Sequence, residues 1–302
     1  MITFEGTGKI YRSLLRRRSV AAIEDLSLTI RQGEVFGVAG PNGAGKSTLI
    51  SLLLGFLEPT AGLVRIAGMR PRAYVEREGV AYLPELVAIP PRWTVDAALR
   101  RFATLAGLPP AEVGARAEQA IEDFGLAEHR TREVRQLSKG TLQRLGLAQA
   151  LIGGSDLVIL DEPTHGLDPV WTARFRDIVR DLRRPSRAIL IASHNLDELE
   201  RVADRVAILH RGRLQRVVQS GTHAHAGAWR LTLAAPNAEL AAVFPGAEAV
   251  PGRPLEFRVR GDLAALNAGL SALIAAGGLV TAFGPEEGRL ESEFRAAVEG
   301  DR

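Results

Sequence analysis

Two nearly continuous apolar runs stand out in the hydrophobic pattern of the chain. They extend from Leu157 to Leu160 and from Ala188 to Ala192, and a helical pattern from Trp171 to Leu182 separates them. Continuous apolar runs of this length are typical of parallel strands that are covered on both faces. The segment from Glu34 to Val38 predicts another short buried strand. The pattern therefore predicts an α/β core built on a parallel sheet.

Antiparallel strands and a helical insertion are predicted around this core. Ile2 to Phe4 and the alternating segment Ala21 to Ile30 predict antiparallel strands, and Thr48 to Leu57 predicts a helix. Between about residues 94 and 150 the apolar spacing becomes helical, with Thr94 as the expected first cap. The helical insertion therefore precedes the first of the two long apolar runs.

The composition of the chain changes after about residue 220. Residues 220–227 (SGTHAHAG) predict a linker, and the chain then follows the order β-α-β-β-α-β before a last helix. That order is typical of a ferredoxin-like module. We therefore expect two domains: residues 1–220, with a helical subdomain at about 86–150, and a small accessory or regulatory α+β domain at 221–302.

A glycine-rich segment follows the strand that ends at Val38. It reads GPNGAGKST from Gly40 to Thr48 and fits the phosphate-binding pattern G-x-x-x-x-G-K-[S/T]. A strand, such a loop and a helix in this order form a nest of backbone N–H groups that suits phosphate oxygens. Lys46 is expected to reach the β- and γ-phosphates, and the Ser47 hydroxyl to bind Mg²⁺. The candidate nucleotide-binding residues are Asn42, Gly43, Gly45, Lys46, Ser47 and Thr48.

Two acidic residues follow the apolar run that ends at Leu160. Asp161 is expected to hold Mg²⁺ through water, as the partner of Ser47. Glu162 is then placed to orient and deprotonate the water that attacks the γ-phosphorus. His194 follows the second apolar run, where it can hydrogen-bond the γ-phosphate and that water. Adjacent carboxylates and a lone histidine also occur on ordinary surfaces, so the prediction depends on the buried strands before them.

Another predicted helix begins at Ser138-Lys139-Gly140 and runs to Ile152. A capping serine and a glycine at a helix start provide a second place for an anion, although capping alone would also explain the serine. Because the glycine-rich loop already occupies the phosphate crevice, we expect this helix to serve the ATP of another molecule.

Composition excludes several classes of protein. The net charge of +3 over 302 residues is too small to indicate a nucleic-acid partner. The absence of Cys excludes disulfides and thiolate metal sites, and it fits a cytosolic protein. No segment reaches the apolar length needed to cross a bilayer.

Residues 1 to about 220 resemble the ATP-binding subunit of an ATP-binding cassette (ABC) transporter. Five motifs occur in the expected order: GPNGAGKST, YLPE at Tyr82 to Glu85, LSKGT at 137–141, LVILDEP at 157–163, and Ser193-His194. Residues 165–168 (HGLD) match the loop that crosses the dimer interface of this family. The resemblance implies a P-loop ATPase fold and two cassettes that face head to tail with two ATP molecules between them.

The resemblance also assigns residues that spacing alone does not. It implies that Ser138 and Gly140 contact the γ-phosphate held by the partner subunit, and that Asp168 lies at the nucleotide interface. Tyr11 matches the aromatic residue that stacks on adenine, and a tyrosine that merely ends a strand is the alternative. Glu85 stands where the family usually has Gln, the residue that links Mg²⁺ and water to the transmembrane contact. Lys139 replaces the usual first Gly of the signature motif.

The resemblance therefore predicts an ATP-hydrolysing subunit that energises a separate integral membrane permease, with ATP and Mg²⁺ as cofactors. Its second ATPase subunit is a copy of itself or a related chain, and its place is the cytoplasmic face of the cell (inner) membrane. The motifs LSKGT and EPTHGLDP and the extra C-terminal module resemble bacterial multi-component exporters. An import ATPase and a soluble ABC ATPase that is not coupled to transport remain open as alternatives.

Overall fold

The structure of the protein is a computed structural model that describes residues 1–12, 19–220, 228–285 and 289–299. The chain separates into two compact units, Met1–Ser220 together with Ala296–Arg302, and Gly221–Arg295. The linker predicted at 220–227 lies, apart from Ser220, outside the described residues.

The strands of the described residues are as follows, in chain order: β1 (Ile2–Arg12), β2 (Ser19–Ile30), β3 (Val35–Ala39), β4 (Ala61–Ile66), β5 (Ala81–Leu83), β6 (Leu157–Asp161), β7 (Ala188–Ser193), β8 (Arg205–His210), β9 (Arg213–Gln219), β10 (Ala228–Leu233), β11 (Glu248–Val250), β12 (Arg253–Arg260) and β13 (Val280–Pro285). The helices are α1 (Lys46–Leu53), α2 (Pro71–Glu78), α3 (Val95–Leu105), α4 (Pro110–Asp123), α5 (Lys139–Leu151), α6 (Pro169–Leu182), α7 (Leu196–Val202), α8 (Leu240–Val243), α9 (Leu263–Ala275) and α10 (Arg289–Glu299). Short 3₁₀ turns lie at Ala127–His129 and Val134–Gln136.

A six-stranded sheet in the order β5-β6-β7-β3-β8-β9 forms the centre of the first unit. Its strands are parallel except for β9, which pairs antiparallel with β8 at one edge. Every residue of β3, β6 and β7 is buried, as their apolar runs predict. The carboxyl ends of parallel strands meet at one edge of a sheet. The glycine-rich loop after β3 therefore lies beside the ends of β6 and β7.

A second sheet, in the antiparallel order β2-β1-β4, covers part of the same core. Phe4 and Ile30 from this sheet are buried in one hydrophobic cluster with Leu49 from α1 and Ile159 from β6. The strand predicted from Ile2 to Phe4 is longer than expected, because its pairing with β2 continues to the end of β1.

The predicted helical insertion contains α3, α4 and α5. Its helix starts are capped by side chains: Thr94 Oγ1 accepts a hydrogen bond from Ala97 N at 3.2 Å, and Ser138 Oγ accepts one from Thr141 N at 3.2 Å. Each cap satisfies an N–H group that the helix itself leaves free.

The helix predicted from Thr48 to Leu57 is present, but both of its predicted bounds are wrong. It begins at Lys46, directly after Gly45, and ends at Leu53, followed by a turn in which Gly55 has φ +70°. The hydrophobic pattern continues beyond the helix because Leu54 is also buried in the core. Apolar periodicity reports burial, and here burial extends past the last helical residue.

The described residues from Ala228 to Pro285 form a four-stranded antiparallel sheet in the order β11-β12-β10-β13. This is the strand order of a ferredoxin-like module, as predicted from the order of elements. Leu231 and Val259 from the sheet pack with Leu266 and Leu273 from α9 in a separate hydrophobic cluster. Nowhere in the described part of the chain is a helix long and apolar enough to span a membrane.

Candidate nucleotide-binding site

The glycine-rich loop between β3 and α1 requires glycine at specific positions. A Cβ atom at Gly40 would lie 2.6 Å from the Leu209 carbonyl oxygen, and one at Gly45 would lie 2.6 Å from the Ala22 carbonyl oxygen. Gly45 also has φ +108°, a conformation that other residues rarely adopt. Lys46 Nζ donates to the Gly40 carbonyl oxygen at 2.7 Å, so its charge lies within the loop.

A cavity of about 980 Å³ joins this loop to the ends of β6 and β7. Its lining contains nearly all the residues that the sequence assigns to one nucleotide: Tyr11, Asn42, Gly43, Gly45, Lys46, Ser47, Thr48, Glu85, Asp161, Glu162 and His194. His165 also lines the cavity, and the sequence had assigned it no role of its own. The positions of the strand ends therefore bring motifs together that are far apart in the sequence.

Asp161 is one of two buried carboxylates that line this cavity, with Glu162 as the other. Burial first, and then the negative charges of Glu85 and Glu162, raise the pKa of Asp161 from 3.8 to about 6, although the positive charge of Lys46 opposes them. Negative charge is therefore concentrated at this end of the cavity, where a cation would be stabilised.

Glu162 is held by two consecutive residues, Ser193 and His194, at the carboxyl end of β7. Ser193 Oγ donates to its Oε2 at 3.0 Å, and the backbone N–H of His194 donates to its Oε1 at 2.9 Å. His194 Nδ1 lies 2.9 Å from Oε2, while 63% of the His194 side chain is exposed. The carboxylate thus has a fixed orientation at the cavity wall. Ser193 was predicted only as part of a motif, because its bond to Glu162 depends on the pairing of β6 with β7.

The oxygen atoms of Ser47, Asp161 and Glu85 are the kind of ligand that Mg²⁺ prefers. Within the described residues, no group of three or more His, Cys, Asp or Glu side chains is arranged to hold a metal ion. These two observations agree for Mg²⁺, which usually takes only one or two carboxylates and completes its shell with water and substrate phosphates.

Tyr11 lines the same cavity. Its ring is 43% exposed, and its hydroxyl lies 3.5 Å from Thr48 Oγ1. The position at the end of β1, next to α1, leaves the ring accessible from the cavity.

Ser138, Gly140 and Asp168 do not line this cavity. Ser138 caps α5, and Asp168 caps α6, where its Oδ1 accepts a hydrogen bond from Trp171 N at 2.9 Å. Lys139 Nζ lies 2.9 Å from His165 Nε2, so the start of α5 contacts the loop that precedes α6. These predicted nucleotide contacts therefore lie outside the site of their own chain.

A model of the ABC transporter family matches residues 23–165. The ABC transporter ATP-binding protein NatA of Bacillus subtilis (strain 168) is 35% identical over 216 residues, which covers 70% of this chain and 87% of NatA. The chain belongs to the ABC transporter family. It is the ATP-binding subunit of an ABC transporter and an ABC-type ATP hydrolase.

Other ABC proteins similar to this chain have names that indicate opposite directions of transport. Nod factor export ATP-binding protein I of Ralstonia nicotianae is 34% identical, with 69% of this chain and 66% of that protein covered. Methionine import ATP-binding protein MetN of Thermobifida fusca is 35% identical, with 73% and 70% covered. Among solved structures, a dimeric post-hydrolysis state of the ATP-binding cassette MJ0796 bound to ADP and Pi has the same fold. Its TM-score is 0.67 at 20% identity, with 73% of this chain and 99% of that chain covered.

Proposed function

We propose that this ABC subunit hydrolyses Mg²⁺–ATP in the cavity between the glycine-rich loop and the ends of β6 and β7, with Glu162 as the general base. The observation that carries this assignment is the position of Glu162. Its carboxylate is fixed by Ser193 and His194 at the wall of the same cavity that Lys46 and the glycine-rich loop line.

The loop and the first turn of α1 bind the β- and γ-phosphates through backbone N–H groups, and Lys46 adds a compact positive charge. Ser47, Asp161 and Glu85 would hold Mg²⁺, which when bound neutralises charge on the phosphate oxygens. The raised pKa of Asp161 supports this assignment, because burial and the neighbouring charges of Glu85 and Glu162 both disfavour its charged form, which a cation would stabilise. Tyr11 stacks on the adenine.

Glu162 accepts a proton from a water molecule as the water oxygen bonds to the γ-phosphorus. The bond from the γ-phosphorus to the bridging oxygen breaks at the same time, which leaves ADP and inorganic phosphate. His194 orients the Glu162 carboxylate through Nδ1 and offers its other ring nitrogen to the γ-phosphate. Its exposure of 63% leaves it accessible to that ligand.

A second copy or a related subunit completes each site. Ser138 and Gly140, at the start of α5, lie outside the cavity of their own chain, although a capped helix start suits an anion. In a head-to-tail dimer they bind the γ-phosphate of the nucleotide in the partner subunit, and Asp168 lies at the same interface. The dimeric cassette with the same fold supports a dimer.

The subunit drives a separate integral membrane permease from the cytoplasmic face of the cell membrane, in the direction of export. The Lys139 form of the signature motif, the Glu85 form of the YLPE motif and the C-terminal module support export. The likeness to a methionine import protein keeps import as the second candidate. ATP binding closes the two cassettes and switches the permease, and hydrolysis resets both.

The experiment is a tagged purification of the Glu162→Gln variant from detergent-solubilised native membranes with ATP and Mg²⁺. We expect a polytopic membrane protein to co-purify in near-equal amount, and the same protein to be lost from a Lys46→Ala control. Reconstitution of that complex in vesicles then gives the direction of transport. If the tagged protein were recovered only with ribosomes, with DNA or without a partner, the proposed coupling to a permease would be wrong, and a soluble ATPase would remain.

A further inference from the structure

Gln143 is a buried polar side chain one turn into α5, with only 5% of its surface exposed. Its Nε2 donates to the carbonyl oxygen of Glu162 at 3.2 Å and to that of Pro163 at 3.0 Å. A primary amide has two N–H groups, so both hydrogen bonds form at once. The sequence gives no signal for this contact, because a glutamine within a helix usually faces solvent.

The two carbonyl groups belong to a backbone turn that needs support. Glu162 has φ +48°, in the left-handed region that costs energy for any residue with a side chain. Ser193 and His194 fix the carboxylate end of Glu162, whereas Gln143 fixes its backbone. The position of the carboxylate therefore depends on α5 as well as on β7.

Two further side chains join α5 to residues 162–171, which we call the β6–α6 segment. Lys139 Nζ lies 2.9 Å from His165 Nε2, and the guanidinium of Arg144 lies 4.5 Å from the centre of the Trp171 ring. With Gln143, these contacts hold the segment at three places along α5. Closely packed elements joined in this way move together rather than deform independently.

We propose that Gln143 is a positioning residue that couples the start of α5 to the general base Glu162. This role rests on the proposed function, in which Ser138 and Gly140 bind the nucleotide held by the partner subunit. When that nucleotide engages the start of α5, the helix displaces the β6–α6 segment, and Gln143 sets the Glu162 carboxylate against the attacking water. Nucleotide binding at one site thereby sets the position of the general base in the other site.

The first test compares Gln143→Met with Gln149→Met. Gln149 lies on the same helix, and its Nε2 is 3.5 Å from the Tyr82 carbonyl oxygen, so the control also removes an amide near a backbone carbonyl. Because small misplacements of a catalytic group are costly, we expect Gln143→Met to lower kcat by about 10- to 100-fold, with KM for Mg²⁺–ATP within about 2-fold. We expect Gln149→Met to stay near the wild-type rate. An unchanged kcat in Gln143→Met, or an increase in KM with no fall in kcat, would overturn the role.

A second variant keeps the volume of the side chain and adds a pH readout. In Gln143→Glu, a carboxylate would face two carbonyl oxygens at neutral pH, whereas the protonated acid can donate to one of them. The ratio of its kcat to the wild-type kcat will therefore rise as the pH falls, and a ratio independent of pH would contradict the proposal. In the nucleotide-free chain, Gln143→Met will also speed hydrogen exchange at the His194 amide, which donates to Glu162.

A double variant separates this role from a general effect on folding. In a Glu162→Gln background, Gln143→Met has no correctly placed base to disturb, so it will cause no further loss of residual turnover. An equal loss in both backgrounds would overturn the coupling to Glu162 and leave the proposed ATPase function intact. No Mg²⁺–ATP turnover by the wild-type subunit with its membrane partner would instead overturn the proposed function and the Gln143 role together.

Discussion

Asp161 and Glu162 are adjacent in the sequence, yet their surroundings give the two carboxylates different chemistry. Asp161 is 5% exposed, and burial together with two neighbouring carboxylates raises its pKa to about 6. Glu162 accepts hydrogen bonds from Ser193 Oγ and from the backbone N–H of His194, which fix the direction of its carboxylate. One carboxylate is therefore suited to a cation, and the other to a proton acceptor in a fixed orientation.

The Asp161→Asn variant tests this charge crowding in the absence of Mg²⁺ and nucleotide. The pKa of Asp161 is higher in the folded chain than its unfolded value of 3.8, so its contribution to folding weakens as the pH rises from about 4 to about 6. We expect Asp161→Asn to have a higher Tm than wild type at pH 7.5 in EDTA, and this advantage to disappear near pH 4. A Tm difference that is the same at both pH values would contradict the argument.

The Glu162→Gln variant tests the assignment of the base. Gln keeps the size of the side chain and can still accept the His194 N–H bond, but it cannot take a proton from water. We expect ATP affinity to be retained and kcat to fall by about 10²- to 10⁴-fold, the usual contribution of general base catalysis. Steady-state phosphate release and nucleotide titration measure the two effects, with the exposed Glu112→Gln as the control. Turnover near the wild-type rate would remove Glu162 as the base.

At the scale of secondary structure, the proposed coupling between the two nucleotide sites runs through α5. Its start carries Ser138 and Gly140, which lie outside the cavity of their own chain, and its second turn contacts the backbone of Glu162. A helix 13 residues long is rigid over this distance. Its position therefore links whatever binds its first turn to the β6–α6 segment.

Mixing two inactive variants tests whether α5 serves the partner subunit. Lys46→Ala disables the glycine-rich loop, and Ser138→Arg blocks the start of α5 and removes a cap worth about 1 kcal/mol. Each variant alone is expected to be inactive. In a mixed dimer, one composite site combines an intact loop with an intact α5, so the mixture will regain part of the wild-type ATPase activity. A mixture as inactive as its components would argue against the head-to-tail arrangement.

An element can be predicted from the sequence when the residues that determine it lie close together along the chain. The strands β6 and β7 and the capped starts of α3 and α5 were predictable because burial and capping leave local patterns. Helix α7 has only seven residues, and β9 is an edge strand with mostly exposed residues, so neither leaves a long apolar pattern, and both were missed together with β8. The glycine-rich loop and acidic strand end gave most of the site, because their chemistry is concentrated in contiguous residues. Gln143 and Ser193 were not assigned roles, because both act through contacts that only the folded chain creates.

At the scale of the whole molecule, the described residues form two hydrophobic cores that share no residue. Phe4, Leu49 and Ile159 belong to the core of the first unit, whereas Leu231 and Leu273 belong to the core of the second. A unit with its own core can in principle fold alone. The sequence boundary proposed at about residue 220 can therefore be examined by truncation.

The chain that ends at Ser220 tests this independence. It retains the whole described cavity, which residues from Tyr11 to His194 line. We expect it to fold and to bind ATP with an affinity within about 3-fold of the full chain, a difference of less than 1 kcal/mol. Circular dichroism and nucleotide titration measure these two properties. An aggregated product, or one that binds no ATP, would show that the cassette depends on the residues after 220.

The left-handed backbone of Glu162 and the crowded charge of Asp161 also matter for protein engineering. Both features disfavour the ligand-free fold, and sites of this kind commonly set stability against activity. A library ranked only by heat resistance without nucleotide would therefore enrich changes at these two positions. The selected clones would be robust proteins that no longer turn over ATP, so a selection for durable variants needs Mg²⁺–ATP present or a parallel screen for turnover.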